Sequence, residues 1–226
     1  IGYGGPYEIR VDHEGTTTLL NDVWVGDVFF LGGQSNMALH LHETNFPVEC
    51  YEGNEHVRLY AVDRTEPDSI CSADGWVTLT KENAKDFSAI GYYFAAALQT
   101  HIGVPVGIVS CCKGASRVDA WTAPESMQTQ AYREWVAVRH GDYGYCKFNH
   151  DSWLYTNKLL PIVPFAAAGV LWYQGESNTG FAEQGFVGAE YAACGEIIYD
   201  LMMELWQDMD KETADALYVA VSTDTG

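Results

Sequence analysis

Runs of consecutive apolar residues, each ending in glycine or small polar residues, recur between stretches with helical spacing. Residues 27–31 (DVFFL) lead into Gly32-Gly33. Residues 58–62, 106–112 (VGIVSCC), 166–173 and 216–221 (ALYVAV) repeat the theme. A strand with no alternating polar positions is wetted on neither face, which is the pattern of a parallel sheet covered by helices. The intervening stretches 88–101 (SAIGYYFAAALQTH), 125–139, 152–160 and 188–208 read as those helices, the first stopped near Gly103 and Pro105. Strand and helix in alternation require right-handed crossovers. The spacing therefore predicts an α/β domain with a mostly parallel central sheet.

The amino-terminal stretch breaks this rhythm. Residues 7–12 (YEIRVD) alternate apolar and polar side chains, turn at Glu14-Gly15 and continue through 16–20. That is a β-hairpin with one wet face. Residues 1–22 are thus expected to end a separate β-rich element, and 23–226 to form the main domain. No internal repeat or low-complexity segment interrupts it.

Composition narrows the functional classes. With 47% hydrophobic and 19% charged residues over 226 positions, the chain can bury one sizeable core. No apolar run reaches the ~20 residues that cross a bilayer; the longest, 164–173, reads as a buried strand. Twelve basic against 31 acidic side chains leave a net charge of −19. Such a surface repels phosphate backbones, which argues against nucleic acid as a partner. It also disfavours strongly anionic polymers, unless the site carries its own positive charge. The six cysteines are too sparse for a disulfide scaffold and are read as free thiols.

Ligands of a parallel sheet bind beyond the carboxyl ends of its strands. Three loops qualify: 32–37, 113–121 and 174–179. In the first, Ser35 follows a strand and two glycines and precedes a helical stretch. A serine there either caps the helix or presents its hydroxyl where backbone N–H groups converge, as a nucleophile needs. In the second, Gly114 lets the backbone approach a ligand and offers its N–H. In the third, Trp172-Tyr173-Gln174-Gly175-Glu176-Ser177-Asn178 places amide donors and a carboxylate at a strand mouth.

Together, GGQSNM, KGASRVDAW and GVLWYQGESN resemble the sialate O-acetylesterase family of SGNH hydrolases, which includes relatives described as acetylxylan esterases. The likeness runs from about residue 5 to 221 and takes in GDVFFLGGQSNM, LYTNKLLPIVPFAAAGVLWYQGESN and the terminal ALYVAV strand. It implies a three-layer α/β/α domain that removes acetyl groups from sugars, with no metal or organic cofactor. It makes Ser35 the nucleophile and Gly114 an oxyanion donor, and it sets Arg117 and Glu176 on the substrate side. The usual SGNH asparagine stands two residues after a glycine, but Ser177 holds that place after Gly175. Gln174 is the first choice for the role and Asn178 the second.

The family's general base is a histidine in an Asp-x-x-His motif, and no Asp of this sequence is followed by His three residues later. The base and its Asp are therefore expected beyond Gly226. His40 and His42 form an H-x-H pair, which on a helix would face different ways and so makes no metal site. Two other readings share the fold. A sugar-binding module would keep the pocket without catalysis, and a lipase or thioesterase would need a broad apolar channel. The polar residues around Arg117 and Glu176 argue against that channel.

Overall fold

In the computed structural model of the chain, residues 1–62, 75–128, 130, 146–163, 165–175 and 177 are described. The chain divides into two units. The first comprises Ile1–Leu31, Leu39–Cys111 and Pro164–Leu171; the second comprises Gly32–Ala38, Cys112–Val163 and Trp172–Gly226.

Unit 1 opens with the expected hairpin. Strands β1 (Gly4–His13) and β2 (Thr16–Val25) pair antiparallel. Glu14 (φ 47°) and Gly15 (φ 80°) form the two-residue loop, whose left-handed backbone matches the twist of the strands. The alternation predicted one covered face. Instead, only Tyr7 and Ile9 are half-buried between Gly5 and His13, so the described residues cover neither face of this ribbon along its length. At the far end of β2, Arg58 donates to both carboxylate oxygens of Asp22 (2.9 and 3.0 Å) and lies over the Trp24 ring.

A mixed sheet follows, in the order β5-β4-β6-β3-β7. Its strands are β3 (Asp27–Gly33), β4 (Asn54–Ala61), β5 (Val77–Leu79), β6 (Val106–Cys112) and β7 (Gly169–Tyr173). β4 and β6 run parallel from Val57↔Val106 to Ala61↔Ser110, while β5 is an antiparallel edge. β3 starts level with both of its neighbours, since Asp27 donates to the Pro105 carbonyl and Ala168 to that of Val28. The sheet is thus mostly parallel, as the continuous apolar runs require. β5, three residues long, is too short to leave a periodic signal.

Helix α2 (Ala89–Ile102) has both of its ends encoded locally. The Ser88 hydroxyl accepts the Gly91 N–H at 3.2 Å, and Gly103 stops the helix at φ 68°. Gly91 rests on β3, where a β-carbon would come within 2.7 Å of a Leu31 methyl group. Leu31, Leu41, Val57, Phe87, Ala95, Val106 and Ile108 are all buried in this unit. Replacing Ser88 with Ala should lower stability by about 1 kcal/mol, read as an earlier urea midpoint at unchanged slope. An unshifted midpoint would show that the cap contributes nothing.

Unit 2 takes the last residues of β3, β6 and β7. Its described helices are short. α1 (Ser35–Ala38) and α3 (Val118–Trp121) are single turns, and Lys147–Asn149 is one 3-10 turn. The helix expected over 152–160 forms as a wider π-helical turn, Tyr155–Leu159, running into the 3-10 turn Leu160–Ile162. Pro161 has no N–H to return to Asn157, so an α-helical ladder cannot continue there. Of the stretch 125–139, residues 125–128 and 130 are described, with a 3-10 turn at Ser126–Gln128. The rest of it, with the expected helix 188–208 and strand 216–221, lies outside the described residues.

Candidate active site

All the residues that follow belong to unit 2. Gly32, Gly33 and Gln34 are buried and Ser35 is exposed, so the chain emerges at the serine. The two glycines allow β3 and β7 to approach this closely. A β-carbon on Gly32 would meet the Trp172 ring at 2.6 Å, and one on Gly33 (φ 138°) would overlap the Tyr173 carbonyl oxygen. Just beyond, Gln34 N–H donates to that carbonyl at 2.9 Å. Because α1 is one turn long, individual N–H groups rather than a helix dipole act at this point. Among the described residues, neither the hydroxyl nor the N–H of Ser35 has a hydrogen-bond partner.

On the other side of β3, Lys113 N–H donates to the Gly33 carbonyl at 2.9 Å, and the chain turns through Gly114 and Ala115. Gly114 faces Ser35: a β-carbon on it would sit 3.9 Å from the Ser35 Cβ. Its N–H, too, has no acceptor among the described residues. Ser116 is fully buried, and its hydroxyl accepts the Trp121 indole N–H at 2.9 Å. Lys113 lies over the Phe148 ring at 4.8 Å, and Arg117 is half-buried at the start of α3. Two cations therefore flank Gly114 in a strongly acidic chain.

The third loop is tied to the first by a side chain that the sequence reading passed over. Gln34 is 3% exposed, and its Oε1 accepts from Gly175 N–H (3.4 Å), Ser177 N–H (3.2 Å) and Gln174 Nε2 (3.3 Å). Gln174 is itself buried, and its Nε2 also donates to the Ser116 carbonyl at 3.1 Å. The three sequence-selected loops thus meet: Gly114 faces Ser35, and Gln174 bonds both Gln34, the neighbour of Ser35, and Ser116 on the Gly114 loop, which also carries Arg117. Glu176 and Asn178 lie outside the described residues. Besides Gln34, the sequence reading missed Ser116 and Asn149. Gln34 carried a partial signal, being an amide side chain between two glycines and Ser35 at a strand end. Asn149 carried none, since its partners are more than 30 residues away.

Residues 25–224 match the family described as carbohydrate esterase, sialic acid-specific acetylesterase. The chain belongs to this family. Sialate O-acetylesterases of Pongo abelii and Homo sapiens are each 26% identical to it over 196 residues, covering 79% of the chain and 37% of their own length. Among solved structures, a carbohydrate acetylesterase from Xanthomonas citri is 29% identical with a TM-score of 0.66, covering 91% of the chain and 43% of its own. The chain therefore spans about two fifths of the length of these members and relatives of the acetylesterase family.

Proposed function

We propose that the chain carries the ester-cleaving centre of a carbohydrate O-acetylesterase. The carrying observation is Ser35, whose hydroxyl no described residue bonds, facing Gly114, with the buried Gln174 amide bonded to Gln34 Oε1 and the Ser116 carbonyl. Ser35 Oγ attacks the acetyl carbonyl carbon while a histidine base takes its proton. The tetrahedral oxyanion collapses, the sugar oxygen leaves with that proton, and an acetyl-enzyme remains. Water, deprotonated by the same base, then releases acetate and regenerates Ser35. The base is the histidine of an Asp-x-x-His motif, which residues 1–226 do not contain, so we place it outside them. In this reading residues 23–226 form the hydrolase domain in a three-layer α/β/α arrangement, and 1–22 close a β-rich element.

Gly114 N–H, Ser35 N–H and the Gln174 amide stabilise the oxyanion. Gln34 Oε1 already holds two backbone N–H groups, so its third bond, from Gln174, is the one an oxyanion displaces at small cost. The bond to the Ser116 carbonyl keeps the amide in place meanwhile. Gln174→Leu should lower kcat about 10²-fold with little change in KM. If Asn178→Leu gives that loss and Gln174→Leu does not, the role passes to Asn178.

The substrate is an acetylated sugar contacted by Arg117 and Glu176. The first sugar to try is an O-acetylated sialic acid, since residues 25–224 match a family described as sialic acid-specific acetylesterase. The test is acetate release by the full-length protein from O-acetylated sialic acid and from acetylated xylo-oligosaccharide. Faster release from the sialic acid is expected, and release from neither overturns the proposal.

A further inference from the structure

We infer that Asn149 is a positioning residue of this centre, a single buried carboxamide that holds the Gly114 turn in a strained conformation. The inference rests on the reading of Gly114 as an oxyanion donor. In the turn from Lys113 to Ser116, closed by Ser116 N–H to the Lys113 carbonyl at 3.3 Å, the third position is left-handed. That position ordinarily takes glycine. Here it is Ala115, at φ 57°, while the glycine stands one place earlier. A residue with a β-carbon stays left-handed only where its surroundings hold it there.

Asn149 supplies that hold. It is 6% exposed; its Nδ2 donates to the Ala115 carbonyl at 2.9 Å, and its Oδ1 accepts the Arg117 N–H at 2.9 Å. One rigid amide thus brackets the peptide groups on either side of Ser116. Asn149 is itself fixed, closing its 3-10 turn with N–H to the Cys146 carbonyl at 2.9 Å. Three residues on, Ser152 is also left-handed (φ 59°) and bonds the Asp119 carbonyl through its N–H and the Thr122 carbonyl through its hydroxyl. The segment therefore makes two hydrogen bonds to the turn beside Gly114 and two to α3 and the residue that follows it. On the other flank of Gly114, Lys113 N–H is held by the Gly33 carbonyl. With both flanks tied, the Gly114 N–H is oriented before substrate arrives, which is what makes an oxyanion donor effective.

The test uses the full-length protein and three variants: Asn149→Ala, the near-isosteric Asn149→Asp, and Asn149→Ala combined with Ala115→Gly. A misdirected donor should lower kcat on the order of 10-fold to 10²-fold in both single variants, with KM within about twofold. In Asn149→Asp a carboxylate oxygen faces the Ala115 carbonyl and repels it. Glycine adopts the left-handed turn unaided, so the double variant should recover at least several-fold of the kcat lost in Asn149→Ala. A merely structural asparagine would not give a kcat loss at unchanged KM that a neighbouring glycine repairs. The inference is overturned if both single variants keep wild-type kcat. It is equally overturned if their loss only follows loss of folded protein by near-UV circular dichroism and the glycine does not relieve it. Activity surviving in Ser35→Ala would instead sink the esterase reading itself, a separate outcome.

Discussion

Ser35→Ala in the full-length protein should cut acetate release by on the order of 10⁴-fold or more, because the proposed covalent path runs wholly through one oxygen. The same variant should be as stable as the parent. Ser35 is exposed, and no described residue bonds its hydroxyl, so removing that oxygen leaves no buried group unsatisfied. A surface change of this kind shifts stability by no more than about 0.5 kcal/mol. The paired result, activity gone at an unchanged melting temperature, separates a nucleophile from a structural cap. A cap would lose stability and keep its rate. Retention of more than a few per cent of the activity would end the assignment of Ser35.

The largest effect on the fold is expected at Gly33. Its φ of 138° is one that residues with a β-carbon rarely adopt, and the added atom would overlap the Tyr173 carbonyl oxygen. Relief by a side-chain rotation is impossible, since the obstacle is backbone. Moving the backbone would break Lys113 N–H to the Gly33 carbonyl and Gln34 N–H to the Tyr173 carbonyl, each 2.9 Å. Gly33→Ala should therefore destabilise by roughly 3 kcal/mol or more, and whatever remains folded should hydrolyse poorly. Gly15 gives the control. It has φ 80° but nothing within 4 Å of a β-carbon, so Gly15→Ala should cost only about 1 kcal/mol of backbone strain. Urea midpoints of the two variants give the comparison. Equal shifts would mean that the close approach of β3 and β7 is not what Gly33 serves.

Much of this protein follows from local pattern. Continuous apolar runs marked β3, β6 and β7, and the helical stretch 88–101 stopped near Gly103 matches α2 to within a residue, because burial on both faces and helix termination act between near neighbours. The same runs pointed to their own carboxyl ends, hence to Ser35, Gly114 and Gln174, and the three motifs there pointed to the family that residues 25–224 match. The hairpin was legible too, though not its exposure, which depends on what else packs against it.

Tertiary structure decided what depends on distant partners. Pairing at the sheet edge alone defines β5. Gln34 becomes a clamp because Gly175 and Ser177, 141 and 143 residues on, bring their N–H groups to its oxygen. Asn149 becomes a brace because Ala115 and Arg117, 34 and 32 residues earlier, offer the carbonyl and N–H that its amide fits. Periodicity records which side of a residue is buried, but a hydrogen bond between remote segments leaves no period in either. So the sequence by itself placed the candidate reacting groups on strand ends, and only the folded chain decided which side chains bond the loops that carry them.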